Sequence, residues 1–183
     1  CGRHPWLNNA LIKPRLGSGD PIGIDLMAPT DPELQPSFAD QSLGEPIDGF
    51  FGAAAGHGTF IAGIIRQECP DAMILPVRVA DGDGVILEND LIDALGRLIV
   101  FMDDSALEEE RGGSKVRVLN LSFSYYHETP GKPDTVSELT RLLNEIRTRD
   151  CVVVCSAGNE ATSRPTYPAT IPADDPARHV TVG

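Results

Sequence analysis

The sequence predicts an α/β fold: a three-layer, doubly wound, mostly parallel sheet with helices on both faces. Two observations predict it. From residue 56 onward, short apolar runs rich in β-branched residues alternate with helical patterns of about 10 to 16 residues, which is the signature of βαβ units joined by right-handed crossovers. Residues 1–55, by contrast, are rich in Pro, Gly and Asp and have little periodicity, so they read as an irregular N-terminal segment carrying an insertion, ahead of an α/β core over 56–183.

Each element has its own signal. Gly58 to Gln67 reads as a helix apolar on nearly all sides, and therefore buried. Met73 to Val79 reads as a short strand that ends before the turn cluster Asp81-Gly82-Asp83-Gly84. Glu88-Asn89-Asp90 caps a helix with Leu91, Ile92, Leu95, Leu98 and Ile99 at helical spacing, ending near Phe101-Met102. Asp103-Asp104 and Glu108 to Glu110 read as solvated charge, with Glu108 to Ser114 a surface loop. Val116 to Ser122 is the next predicted strand. Asp134 to Arg149 follows as an amphipathic helix with Val136, Leu139, Leu142, Leu143 and Ile146 on one face. Strands Cys151 to Cys155 and Val180 to Val182 close the series. In such a sheet the site forms at the carboxyl ends of the strands, which gathers Ser122 and Ser156 to Asn159 on one rim.

Composition excludes several functions. A formal net charge of −12 and a pI near 4.6, with scattered basic residues, argue against a nucleic-acid partner, because a phosphate backbone calls for clustered Lys and Arg. No run approaches the roughly 20 apolar residues of a membrane span. The four cysteines, at 1, 69, 151 and 155, lack metal-ligand spacing. Cys151 and Cys155 share a strand face about 13 Å apart, beyond disulfide reach, and read as small buried hydrophobes; Cys1 with Cys69 stays open as a pair. The chain does not begin with Met, and its last residues read as a strand stopping in mid-element, so the sheet is expected to be incomplete at both ends and 1–183 to be a partial domain.

Five segments carry chemistry. They are Gly56-His57-Gly58-Thr59 with its helix, Ile74 to Val79 with its Gly-rich turn, Val118 to Ser122, Val152 to Glu160, and Tyr167-Pro168-Ala169 leading into Val180 to Gly183. In this order and spacing they resemble the subtilisin-like serine proteases, the subtilases. The resemblance implies a subtilisin-like fold and a serine endopeptidase acting through an acyl-enzyme on peptide or protein substrates. It makes His57 the general base and Asn159 the side-chain amide donor to the oxyanion. Ser122, Phe123 and Ser124 match the segment that pairs with an extended peptide substrate, and Ser156, Ala157 and Gly158 match a wall of the primary specificity pocket.

Two family residues are missing from the pattern. No Gly-Thr-Ser occurs in the chain, so no nucleophile is assigned and these residues alone are expected to be inactive. The family's Asp-Thr/Ser-Gly is commonly followed by His-Pro, so by the resemblance His4-Pro5 leads us to expect it just upstream of Cys1. Asp25 is the rival, without the Thr/Ser-Gly. The Asp-to-His stretch is then lengthened by an insertion within Leu11 to Phe51, placed near the active-site rim and expected to affect substrate access.

No cofactor is required for this chemistry. Structural calcium is common in the family, but no ligand position transfers, and Asp81 to Gly84 lacks the bidentate acid of an EF-hand loop. His4, His127 and His179 are expected in structural or surface roles. The resemblance alone favours secretion; oligomeric state and compartment are unknown. Two other readings stand beside the protease: a catalytically dead pseudoprotease or peptide-binding domain of the same fold, and a nucleotide-binding domain, which the lack of GxGxxG disfavours.

Overall fold

The computed structural model describes residues 6–7, 10–23, 54, 56–80, 84–110, 112–113, 115–126 and 134–183, with side chains of the last stretch from 138. Cys1, His4, Asp25, Asp81 to Asp83, His127, Val136 and most of the Leu11 to Phe51 insertion lie outside the described residues or side chains. The chain divides into two compact units, Cys1–Arg97 and Leu98–Gly183.

In the first unit the N-terminal stretch has no helix or named strand among its described residues, yet it is packed. Leu7, Ala10 and Ile22 are each 1% exposed. Residues 14–22 double back, with Leu16 N–H donating to Asp20 C=O and Ile22 N–H to Pro14 C=O, both at 2.9 Å. Gly23 lies so near the Arg78 carbonyl that a Cβ would stand 2.1 Å from its oxygen.

The strand expected over Met73 to Val79 is reduced to a single parallel bridge between Leu11 and Ile74. Ile74 N–H donates to Ala10 C=O at 2.7 Å, and Ile12 N–H to Ile74 C=O at 2.8 Å. The next two rungs would need the N–H groups of residues 76 and 14, and both positions are proline, which has none to give. Two prolines stop the ladder.

Helix α1, His57–Glu68, starts at Gly56, whose φ of 79° is left-handed, and stops where Cys69 N–H bonds Ile65 C=O just ahead of Pro70. The expectation of an all-round buried helix is corrected: only Ala62 is buried, while Phe60 is 70% and Ile64 43% exposed. An apolar sequence on every side invites neighbours on every side, and the described residues cover one. Helix α2, Glu88–Asp103, begins with Glu88 and Asp90 in its first turn, where the helix dipole favours acids. Of its expected stripe, Leu91, Leu95, Leu98 and Ile99 are buried while Ile92 is only half-buried, and Ala94 and Phe101 join the buried face.

The second unit opens with a departure from expectation. Part of the charged loop is a helix, α3, Ser105–Glu110. Asp104 is its cap, its Oδ1 accepting from Ala106 N–H at 3.0 Å and Leu107 N–H at 3.2 Å, and Gly112 and Gly113, both at positive φ, end it. Asp103 is also engaged, accepting two 2.7 Å bonds from the Arg149 guanidinium. That pairing holds its carboxyl below the ordinary range.

Strands β1 (Val118–Leu121), β2 (Val152–Ser156) and β3 (His179–Val182) form a parallel sheet in that order, and α4, Asp134–Thr148, carries the chain from β1 to β2. Leu139, Leu142, Leu143 and Ile146 bury one face of α4, none more than 3% exposed. Along β2 burial alternates, so Val153 and Cys155 point to one face. Arg147, 3% exposed, donates to Asn144 Oδ1 at 2.6 Å and to His179 Nδ1. A guanidinium only donates, so Nδ1 accepts and His179 Nε2–H donates to the Ala169 carbonyl at 2.9 Å. His179 thus has a structural role.

Candidate active site

His57 is the first residue of α1, with an exposed side chain. The left-handed turn at Gly56 sets the direction of entry, Phe60 N–H closing on Gly56 C=O at 2.8 Å. Space over Gly58 is open, since a Cβ there would meet nothing within 4 Å. Along the same helix runs a largely apolar groove of about 380 Å³ lined by Trp6, Leu7, Thr59, Phe60, Gly63 and Ile64.

In the second unit, parallel pairing aligns the carboxyl ends of two strands. The register Leu121↔Cys155 delivers Ser122-Phe123-Ser124 and Ser156-Ala157-Gly158-Asn159 side by side. They meet at Gly158, where a Cβ would lie 3.2 Å from Ser124 Oγ. Gly158 takes a φ of 90°, a left-handed turn that suits glycine, and its N–H donates to Ser156 Oγ at 3.2 Å. Ala157 is pinned on both sides: its N–H donates to Val182 C=O at 2.7 Å, and its carbonyl accepts from Thr166 Oγ1 at 3.1 Å. Ser122 Oγ accepts from Asn120 Nδ2 at 2.8 Å. Asn159 is exposed, and among the described residues its side-chain amide has no hydrogen-bond partner. The amide is available to an incoming acceptor.

The turn also enlists residues that motif reading passed over. Glu160 folds back so that its Oε2 accepts from Asn159 N–H at 3.0 Å and Tyr126 Oη at 3.1 Å. Arg164 stacks 4.6 Å from the Tyr126 ring centroid. Desolvation, and after it the Glu160 carboxylate, hold the Tyr126 phenol above its ordinary range. Tyr125 and Tyr167 exchange two 2.9 Å backbone bonds and hold their rings 5.8 Å apart. The available signals were the acid directly after Gly-Asn and the Tyr-Tyr pair directly after Ser-Phe-Ser.

Among the described residues no three His, Cys, Asp or Glu side chains gather as a metal site, and no helix is long and apolar enough to cross a membrane. The sequence pattern of the subtilase family matches residues 2–183. No curated protein sequence matches the chain. Chains of solved structures do. One, described as the crystal structure of a lanthipeptide protease, superposes with a TM-score of 0.51 at 22% identity, over 76% of this chain and 40% of that one. At that identity the likeness is one of fold, and it bears out the α/β subtilisin-like architecture; the chain spans two fifths of that protease's length.

Proposed function

This chain belongs to the subtilase family, and from that premise we propose that it contributes the general base and an oxyanion donor to a serine endopeptidase acting on peptide or protein substrates. His57 takes the proton from a serine hydroxyl as it attacks the scissile carbonyl and returns it to the leaving amine. The Asn159 side-chain amide donates to the oxyanion of the tetrahedral intermediate. Ser122 to Ser124 pair with the extended peptide before the scissile bond, and Ser156 to Gly158 form a wall for its side chain.

One observation supports the reading: the register of β1 on β2 brings residues 122–124 and 156–158 to one edge, and a carboxamide with no hydrogen-bond partner among the described residues follows immediately after them. With no Gly-Thr-Ser in the sequence, the 183 residues on their own do not cleave peptides. A serine-directed fluorophosphonate tests the proposal: it labels the full-length protein, and His57→Ala abolishes the labelling. Labelling that survives the substitution unchanged removes His57 from this role, and a full-length protein that takes no label is the peptide-binding alternative.

A further inference from the structure

We propose that Glu160 and Tyr126 form a clamp that positions Asn159, holding its turn in the geometry from which the side-chain amide reaches the oxyanion. The inference rests on the oxyanion assignment of Asn159 made above and adds two positioning residues to it.

Bonds from its backbone to Val182, Thr166 and Ser156 hold the turn as far as Gly158, and beyond that point it needs a further hold. Gly158, with a φ of 90°, is the residue type with most freedom to leave that conformation. Asn159 and Glu160 are both exposed, so burial does not fix them. What does fix them is a single carboxylate oxygen. Glu160 Oε2 lies over Gly158, 2.9 Å from where a Cβ would be, and accepts from Asn159 N–H at 3.0 Å. The same oxygen accepts from Tyr126 Oη at 3.1 Å. Hydrogen bonds to a charged acceptor are about twice as strong as neutral ones.

Tyr126 is a firm anchor for it. Its neighbour Tyr125 is paired with Tyr167 by two main-chain bonds, and its own ring carries the Arg164 guanidinium. The segment after β1 and the turn after β2 are therefore tied together across the site. Their separation sets the width of the space for a substrate side chain, and the tie sets the direction of the Asn159 side chain. A donor must stand about 2.7 to 3.1 Å from the forming oxyanion, and displacement of about 1 Å can cost a large factor in rate.

Two measurements on the full-length protein test the clamp. In NMR hydrogen exchange, Glu160→Ala speeds exchange of the Asn159 amide by on the order of tenfold. Glu160→Gln, whose amide oxygen still accepts, restores most of the protection, and the Leu143 amide is unaffected by either. In peptide cleavage, Glu160→Ala lowers kcat roughly tenfold with KM little changed, less than the 10²- to 10³-fold for loss of an oxyanion donor, and Glu160→Gln recovers much of it. Placed on Asn159→Ala, Glu160→Ala has no further effect, because a positioning residue has nothing left to position. Unchanged Asn159 exchange in Glu160→Ala overturns the clamp, as does an equal fall in kcat with and without Asn159. If Asn159→Ala itself leaves cleavage unaltered, the oxyanion assignment falls, and amide exchange still decides whether the clamp exists.

Discussion

Cys151 and Cys155 show how far a residue's chemistry follows from its place in the sheet. Both are at most 1% exposed, and burial pushes each thiol up to about 11. They are packing groups, as their strand spacing predicts, whereas Cys69 is exposed. An alkylating reagent at pH 8 modifies Cys69 in the native protein and reaches the other two only on unfolding. In the unfolded chain these thiols ionise near 9.0, in the folded one near 11. Between those values the unfolded state binds fewer protons than the native state, so stability falls as pH rises. Urea midpoints that decline from pH 9 to 11 in the parent, and less so in Cys155→Ala relative to its own pH 8 value, are the expected result.

Other single residues were less legible. His57 and Asn159 stand out because each sits in a short, ordered motif, and their neighbours' small side chains are explained by the turns they make. Glu160 and Tyr126 were invisible as a pair, since 34 positions separate them and only the pairing of β1 with β2 brings them together. Asp103 read as loose charge for a similar reason, since its arginine lies 46 positions away, whereas the Asp104 cap is a local signal that the charge run concealed.

At the scale of elements, periodicity served well where an element buries one face. Helices α2 and α4 carry their buried residues where the apolar spacing puts them, and all three strands of the sheet were located to within two residues at either end. It served badly where an element buries none or several. The apolar α1 leaves Phe60 and Ile64 largely open, and prolines cut the expected strand over Met73 to Val79 to one bridge.

The N-terminal stretch shows the opposite error, because turn-rich composition concealed a packed ply. Ile22 is 1% exposed and Arg97 Nη1 donates to the neighbouring Pro21 carbonyl at 2.9 Å. Ile22→Ala is expected to cost about 2 to 5 kcal/mol, as for other buried aliphatic truncations, measured by chemical denaturation. A cost below about 0.5 kcal/mol, in the range of surface substitutions, would return residues 10–23 to a loosely attached loop. Whether the insertion affects substrate access, as the sequence leads us to expect, is accordingly tested by deletions that begin after Gly23.

For the molecule as a whole, the fold class was legible because alternation of strands and helices is a property of the entire chain, and five ordered motifs tied that alternation to one family. The proposed mechanism makes a stronger demand, that His57 and Asn159 act on one carbonyl. The most direct test is a crystal structure of the full-length protein with a peptide aldehyde bound. The account predicts the inhibitor backbone paired with residues 122–124, its tetrahedral oxygen about 2.7 to 3.1 Å from Asn159 Nδ2, and the His57 imidazole beside the attacked carbon. A peptide seated away from Asn159, or an imidazole remote from the adduct, would contradict it.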